Sequence, residues 1–154
     1  MTITTISLVR QRSPAPNTTS DSERAFILPL EHGMLAPATA RHAARPVLAA
    51  WSLDDDQIYN TLLIISELVT NAVTHARPPV VLHLRLQATA STCGHVQVHV
   101  ADGGPQTTPT NWAATRPTDE RGRGDTIITA LADQAGTDLD ADGLIDHWAG
   151  VSSA

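Results

Sequence analysis

The stretch ELVTNAVTHA, Glu67 to Ala76, closes a run that reads as one buried helix from Ile58 to Ala76. Ile58, Leu62, Ile65, Val69, Ala72, Val73 and Ala76 recur at steps of three and four and form a single apolar stripe. Glu67, Asn71 and His75 follow one another at steps of four, so they share a second stripe. At about 100° per residue, that polar row lies more than about 100° around the cylinder from the apolar one. Ile64 sits beside it, so the second face is not plainly solvated. A solvated face accounts for a carboxylate and an amide at this spacing. A second account is chemical: the carboxylate acts as a general base and the amide oxygen is a hard ligand suited to Mg²⁺. His75 falls where a helix C-terminus favours positive charge.

Upstream, Asp54, Asp55 and Asp56 form an acidic helix start. Ala36 to Trp51 has helical spacing, with Pro46 expected to kink or split it. RAFILPL, Arg24 to Leu30, reads as a strand, and Pro29 points to a sheet edge because it lacks a ladder donor. Residues 1–22 are rich in Ser, Thr, Pro and Asn without a sustained period and read as a mobile tail before a domain at 23–154.

Downstream, Arg77-Pro78-Pro79 stops the helix. VVLHLRLQ, Val80 to Gln87, and HVQVHVAD, His95 to Asp102, alternate apolar and polar residues and predict an antiparallel hairpin with one covered and one wet face. Asp102 shares its parity with Val96, Val98 and Val100, so it points into the space between sheet and helices. A carboxylate there needs a hydrogen-bond donor, and the exocyclic amine of a purine is a suitable one. The alternative is that the strand frays at Ala101 and Asp102 starts a turn with Gly103 and Gly104.

A long Gly-, Pro- and Thr-rich stretch then runs from Gly103 to Gly122 and has the character of a lid. Gly122-Arg123-Gly124 leads into a helix carrying Ile127, Ile128 and Leu131. Exposed backbone N–H groups at a helix start, flanked by guanidiniums, suit phosphate. Gly-rich turns also precede many helices that bind nothing. TDLDADGLIDHWAGV, Thr137 to Val151, reads as a final hairpin turning at Ala141-Asp142-Gly143. The order is β, α, α, β, β, lid, α, β, β. This predicts an α+β domain: a two-layer sandwich with a mixed, mostly antiparallel sheet of about five strands and three helices on one face.

Composition narrows the function. The chain has 154 residues, about one domain, and 42% are apolar, enough for a core. Its net charge of −6 argues against nucleic-acid binding through phosphate contacts. All ten basic residues are Arg, which excludes a P-loop and any Schiff-base mechanism. Cys93 is the sole cysteine, so neither an internal disulfide nor a thiolate zinc cluster is available. No membrane span is expected, the N-terminus lacks a signal-peptide layout, and a cytoplasmic protein is the default. His83, His95 and His99 share the hairpin's polar face; solvation accounts for them, with zinc binding as the alternative.

Taken in order, ExxxN on a helix, a strand ending in D-G-G, a long lid and GxG opening a helix resemble the ATP-binding domain of the GHKL superfamily (gyrase, histidine kinases and relatives; the Bergerat fold). ELVTNAVTHA resembles its N box, VADGG its first glycine box and RGRGDTIITALAD its second. The likeness covers about Arg24 to Val151. Within the superfamily, the small size and the initial β-α pair resemble bacterial anti-sigma factors of the serine-kinase type and related stand-alone regulators. The resemblance implies ATP and Mg²⁺ as cofactors. Asn71 would hold Mg²⁺, Glu67 would be the base on an acceptor hydroxyl, and Asp102 would receive the adenine amine. Gly104 would let the base approach, while Gly122, Arg123 and Gly124 would cradle the phosphates. It further implies a sigma factor and a small antagonist as protein partners, and a homodimer as one assembly. Two positions depart from the pattern. Asp125 follows GRG where an apolar residue is usual, and GLIDHWAGV lacks the Thr or Lys that relatives use toward the nucleotide. The competing function is a binding module that works through protein contacts alone.

Overall fold

The computed structural model describes residues 22–89, 92–106 and 123–153. The elements run β1 (Ser22–Leu30), α1 (Ala36–Ala50), α2 (Asp55–His75), β2 (Val80–Thr89), β3 (Thr92–Asp102), α3 (Arg123–Leu131), β4 (Gln134–Leu139) and β5 (Ile145–Val151). The five strands form one sheet in the order β1-β2-β3-β5-β4, and all four pairings are antiparallel. The mostly antiparallel sheet expected from the sequence is wholly so among these strands. Of the expected tail, 1–21 lie outside the described residues and Ser22 opens β1.

Period-two alternation produces the covered face. Leu82, Leu84 and Leu86 lie opposite Val100, Val98 and Val96 in register and are buried with them. On β1, Leu28 and Leu30 point the same way while Ile27 and Pro29 face out, and β1 is an edge strand as Pro29 requires. On β5, Ala149 and Val151 complete the floor. The helices supply the roof. Ala40, Ala44 and Leu48 form a stripe on α1, and Leu62, Ile64, Ile65, Leu68, Val69, Ala72 and Val73 cover most of α2.

Pro46 lies inside α1 without splitting it. The residue is exposed, and the buried stripe continues on both sides of it, so core packing carries the helix through the missing N–H. α2 begins at an N-cap, Asp54, whose carboxylate accepts from the Gln57 N–H at 2.7 Å. Gln57 is itself buried and donates to the carbonyls of Gly94 at 2.7 Å and Val151 at 3.2 Å. It therefore fastens the first turn of α2 to both β3 and β5. The last hairpin turns where the sequence indicated: Asp140 Oδ1 accepts from Asp142 N and Leu144 N, and Gly143 takes the positive φ of +81°.

Candidate functional site

The C-terminal end of α2 is stitched to the end of β3 by backbone. Arg77 N donates to Gly104 O at 2.8 Å, Gly103 N to Arg77 O at 2.7 Å, and Gln106 N to His75 O at 2.9 Å. His32 Nε2 lies 2.8 Å from Ala76 O and reinforces this corner. Both glycines are needed here. A Cβ on Gly103 would stand 2.3 Å from Pro78 O, and Gly104 has φ +89°. The stitching sets the end of β3 beside the last turns of α2.

A cleft of about 650 Å³ opens between these ends, α3 and the last hairpin. That volume lies within the usual range for small-molecule sites. Asn71 and His75 border it from α2, Asp102 from β3, Ile128 and Thr129 from α3, and Ile145 and His147 from β5. The order β3-β5-β4 makes this possible, because it inserts β5 beside β3 and leaves β4 as the outer wall.

Asp102 is the most buried polar residue of the lining, with only 2% of the residue exposed. Its Oδ1 accepts from Gly104 N at 2.8 Å and its Oδ2 lies 3.0 Å from His147 Nε2. The strand does not fray at Ala101: it stays paired through Asp102, whose side chain is buried with Val100 and also accepts from the Gly104 N–H of the turn that follows. The His147 ring is anchored at its other nitrogen, with Nδ1 3.2 Å from Thr137 Oγ1. A buried carboxylate beside the apolar walls of Leu68, Ile128 and Ile145 suits a flat, amine-bearing heterocycle.

A protein-family model described as the histidine kinase-like ATPase domain matches residues 35–144, from the start of α1 to the β4–β5 turn. The chain belongs to this family. Among solved structures, this histidine kinase-like domain is similar to the RsbU and RsbW domains of Rv1364c from Mycobacterium tuberculosis. The TM-score is 0.59 at 22% identity, over 92% of this chain and 33% of that one. The likeness establishes a shared fold, and the chain spans about a third of the length of that neighbour. No curated protein matches the sequence significantly.

Within this histidine kinase-like domain the expected site residues divide. Asn71 and Asp102 meet at the cleft, while Gly104 is buried beside it in the turn. Glu67 is half-buried one helical turn before Asn71 and does not border the cleft. Gly122 lies outside the described residues, as does the expected lid from 107 onward. Arg123 and Gly124 are already in the first turn of α3, and Asp125 follows them there. His147 was missed. The signal that finds it is the register: Val100 pairs with His147, so the ring shares the inward face of Asp102.

The hairpin histidines do not converge. His95 turns to Ser152 Oγ at 3.0 Å. His83 and His99 pair with ring centroids 5.9 Å apart, and His99 Nδ1 lies 2.7 Å from Asp146 Oδ2. Among the described residues no group of three or more His, Cys, Asp or Glu is placed to hold a metal ion. Nor is any described helix long and apolar enough to cross a membrane.

Proposed function

We propose that the chain is an ATP·Mg²⁺-binding regulator of the anti-sigma type, acting in the cytoplasm as a protein serine/threonine kinase. It phosphorylates a small antagonist protein and thereby controls the availability of a sigma factor. The observation that carries this reading is the buried Asp102 carboxylate in the lining of a cleft that Asn71 also borders. Family membership and the fold shared with a protein whose domains are named RsbU and RsbW support it.

The residue roles follow from chemistry. Asp102 accepts from an adenine amine, and its charge repels the carbonyl that guanine carries at the same edge. The apolar walls cover the faces of the base. Asn71, one turn before His75, offers an amide oxygen to magnesium, whose contribution when bound is to neutralise phosphate charge. The start of α3 offers its backbone N–H groups to the phosphates. Glu67 takes the proton from an acceptor hydroxyl delivered by the partner protein.

A second reading, a non-catalytic interaction module, is favoured by one observation: Glu67 stands outside the cleft lining. Labelled ATP incubated with the protein and a candidate antagonist separates the two. Transfer of label to a Ser or Thr of the antagonist, reduced by about 10²-fold or more in Glu67→Gln, is the outcome for a kinase with a general base. Nucleotide binding without transfer in the wild type supports the module. Absence of any nucleotide binding leaves a pseudo-ATPase.

A further inference from the structure

On the nucleotide reading above, Asp102 is the group that must receive the base. Both oxygens of Asp102 are engaged, Oδ1 by Gly104 N and Oδ2 by His147 Nε2. With 2% of the residue exposed, little of the carboxylate is open to an incoming amine while these contacts hold. His147 differs: its side chain is 37% exposed, it borders the same cleft as Asp102, and its ring bridges two strands by touching Asp102 on β3 and Thr137 on β4. Gly104 N is fixed by backbone, whereas the His147 ring can rotate about its side-chain bonds.

We propose that His147 is a latch on the nucleobase-reading carboxylate. The imidazole occupies the edge of Asp102 that the amine of a 6-aminopurine must take. Binding then requires the ring to leave Asp102 Oδ2 and Thr137 Oγ1 together. A ligand that must break a pre-existing contact binds more weakly by the free energy of that contact. His147 therefore sets the affinity of the site by competing with the ligand.

The test uses two measurements on the full chain with ATP and Mg²⁺. Calorimetric titration of His147→Ala should give ATP binding about fivefold tighter than wild type, the scale of one net hydrogen bond. Imidazole ¹⁵N spectra of the wild-type protein should show both His147 ring nitrogens shifting as ATP saturates the site, which needs no variant to fold. Equal or weaker ATP binding by His147→Ala, or His147 nitrogens unmoved at saturation, overturns the latch and leaves the nucleotide site standing. Failure of ATP to bind either protein overturns the nucleotide site and the latch with it.

Discussion

Gly103 and His83 show what single residues decide here. A methyl group on Gly103 would collide with the Pro78 carbonyl at 2.3 Å, and backbone cannot give way as a side chain would. Gly103→Ala should cost about 1–3 kcal/mol in denaturant titration, by overpacking. Gly33→Ala, where a Cβ meets nothing within 4 Å, should stay within about 0.5 kcal/mol. The pKa of His83 is held below its usual 6.5, first by burial and then by the neighbouring charges of His99 and Arg85. The folded chain thus refuses a proton that the unfolded chain accepts. This contribution to stability is complete above about pH 6.5 and is lost as the pH falls below that value. His83→Gln should accordingly lose less stability than wild type between pH 7.5 and 5.5 in denaturation series, and an identical slope would contradict the argument. Asp102 was legible at this scale because strand parity fixes a side chain's face without knowledge of the partner strand. His147 was not. Its place opposite Val100 depends on β5 pairing with β3, and that register is not written in the local sequence.

Helices and strands bring these residues together through a few deliberate ties. Gln57 is the clearest, a buried amide serving the carbonyls of Gly94 and Val151 from the first turn of α2. Gln57→Ala leaves two carbonyls of the sheet without that donor and should cost about 1–3 kcal/mol, measured as a lowered midpoint in urea with the slope unchanged. Helix periodicity made α2 readable, and its polar row does run toward the cleft. The row was read as a unit, however, and the structure divides it: Asn71 and His75 border the cleft while Glu67 lies one turn back. Spacing gives direction around a helix but not where along its length a cavity begins. For α1 the local rule about Pro46 gave way to the stripe of Ala40, Ala44 and Leu48, because burial on both sides outweighs one missing hydrogen bond. The last hairpin was readable from its turn residues and the first from alternation, although the strands of the first run on past Gln87 to Thr89 and begin at Thr92, before His95.

Among the described residues, one antiparallel sheet carries three helices on a single face, and the seam between layers is filled mainly with Leu, Ile, Val and Ala, admits Gln57 and Thr61 at the start of α2, and opens at the ends of α2 and β3. There the apolar packing gives way to a buried carboxylate, an amide and a histidine. Motif order along the chain anticipated that the ends of α2 and β3 lie at one opening; from α3 it is Ile128 and Thr129 that border it. What motif order did not supply is the competition at Asp102, which arises only when β5 is laid between β3 and β4. The central claim is that this opening is an adenine-nucleotide site read by Asp102. Isothermal titration of ATP with Mg²⁺ into wild type and Asp102→Asn tests it most directly. The account predicts saturable one-site binding by wild type and binding at least about tenfold weaker in the variant, as expected for a lost hydrogen bond to a charged acceptor. Binding of equal strength in both proteins, or none in the wild type, would contradict it.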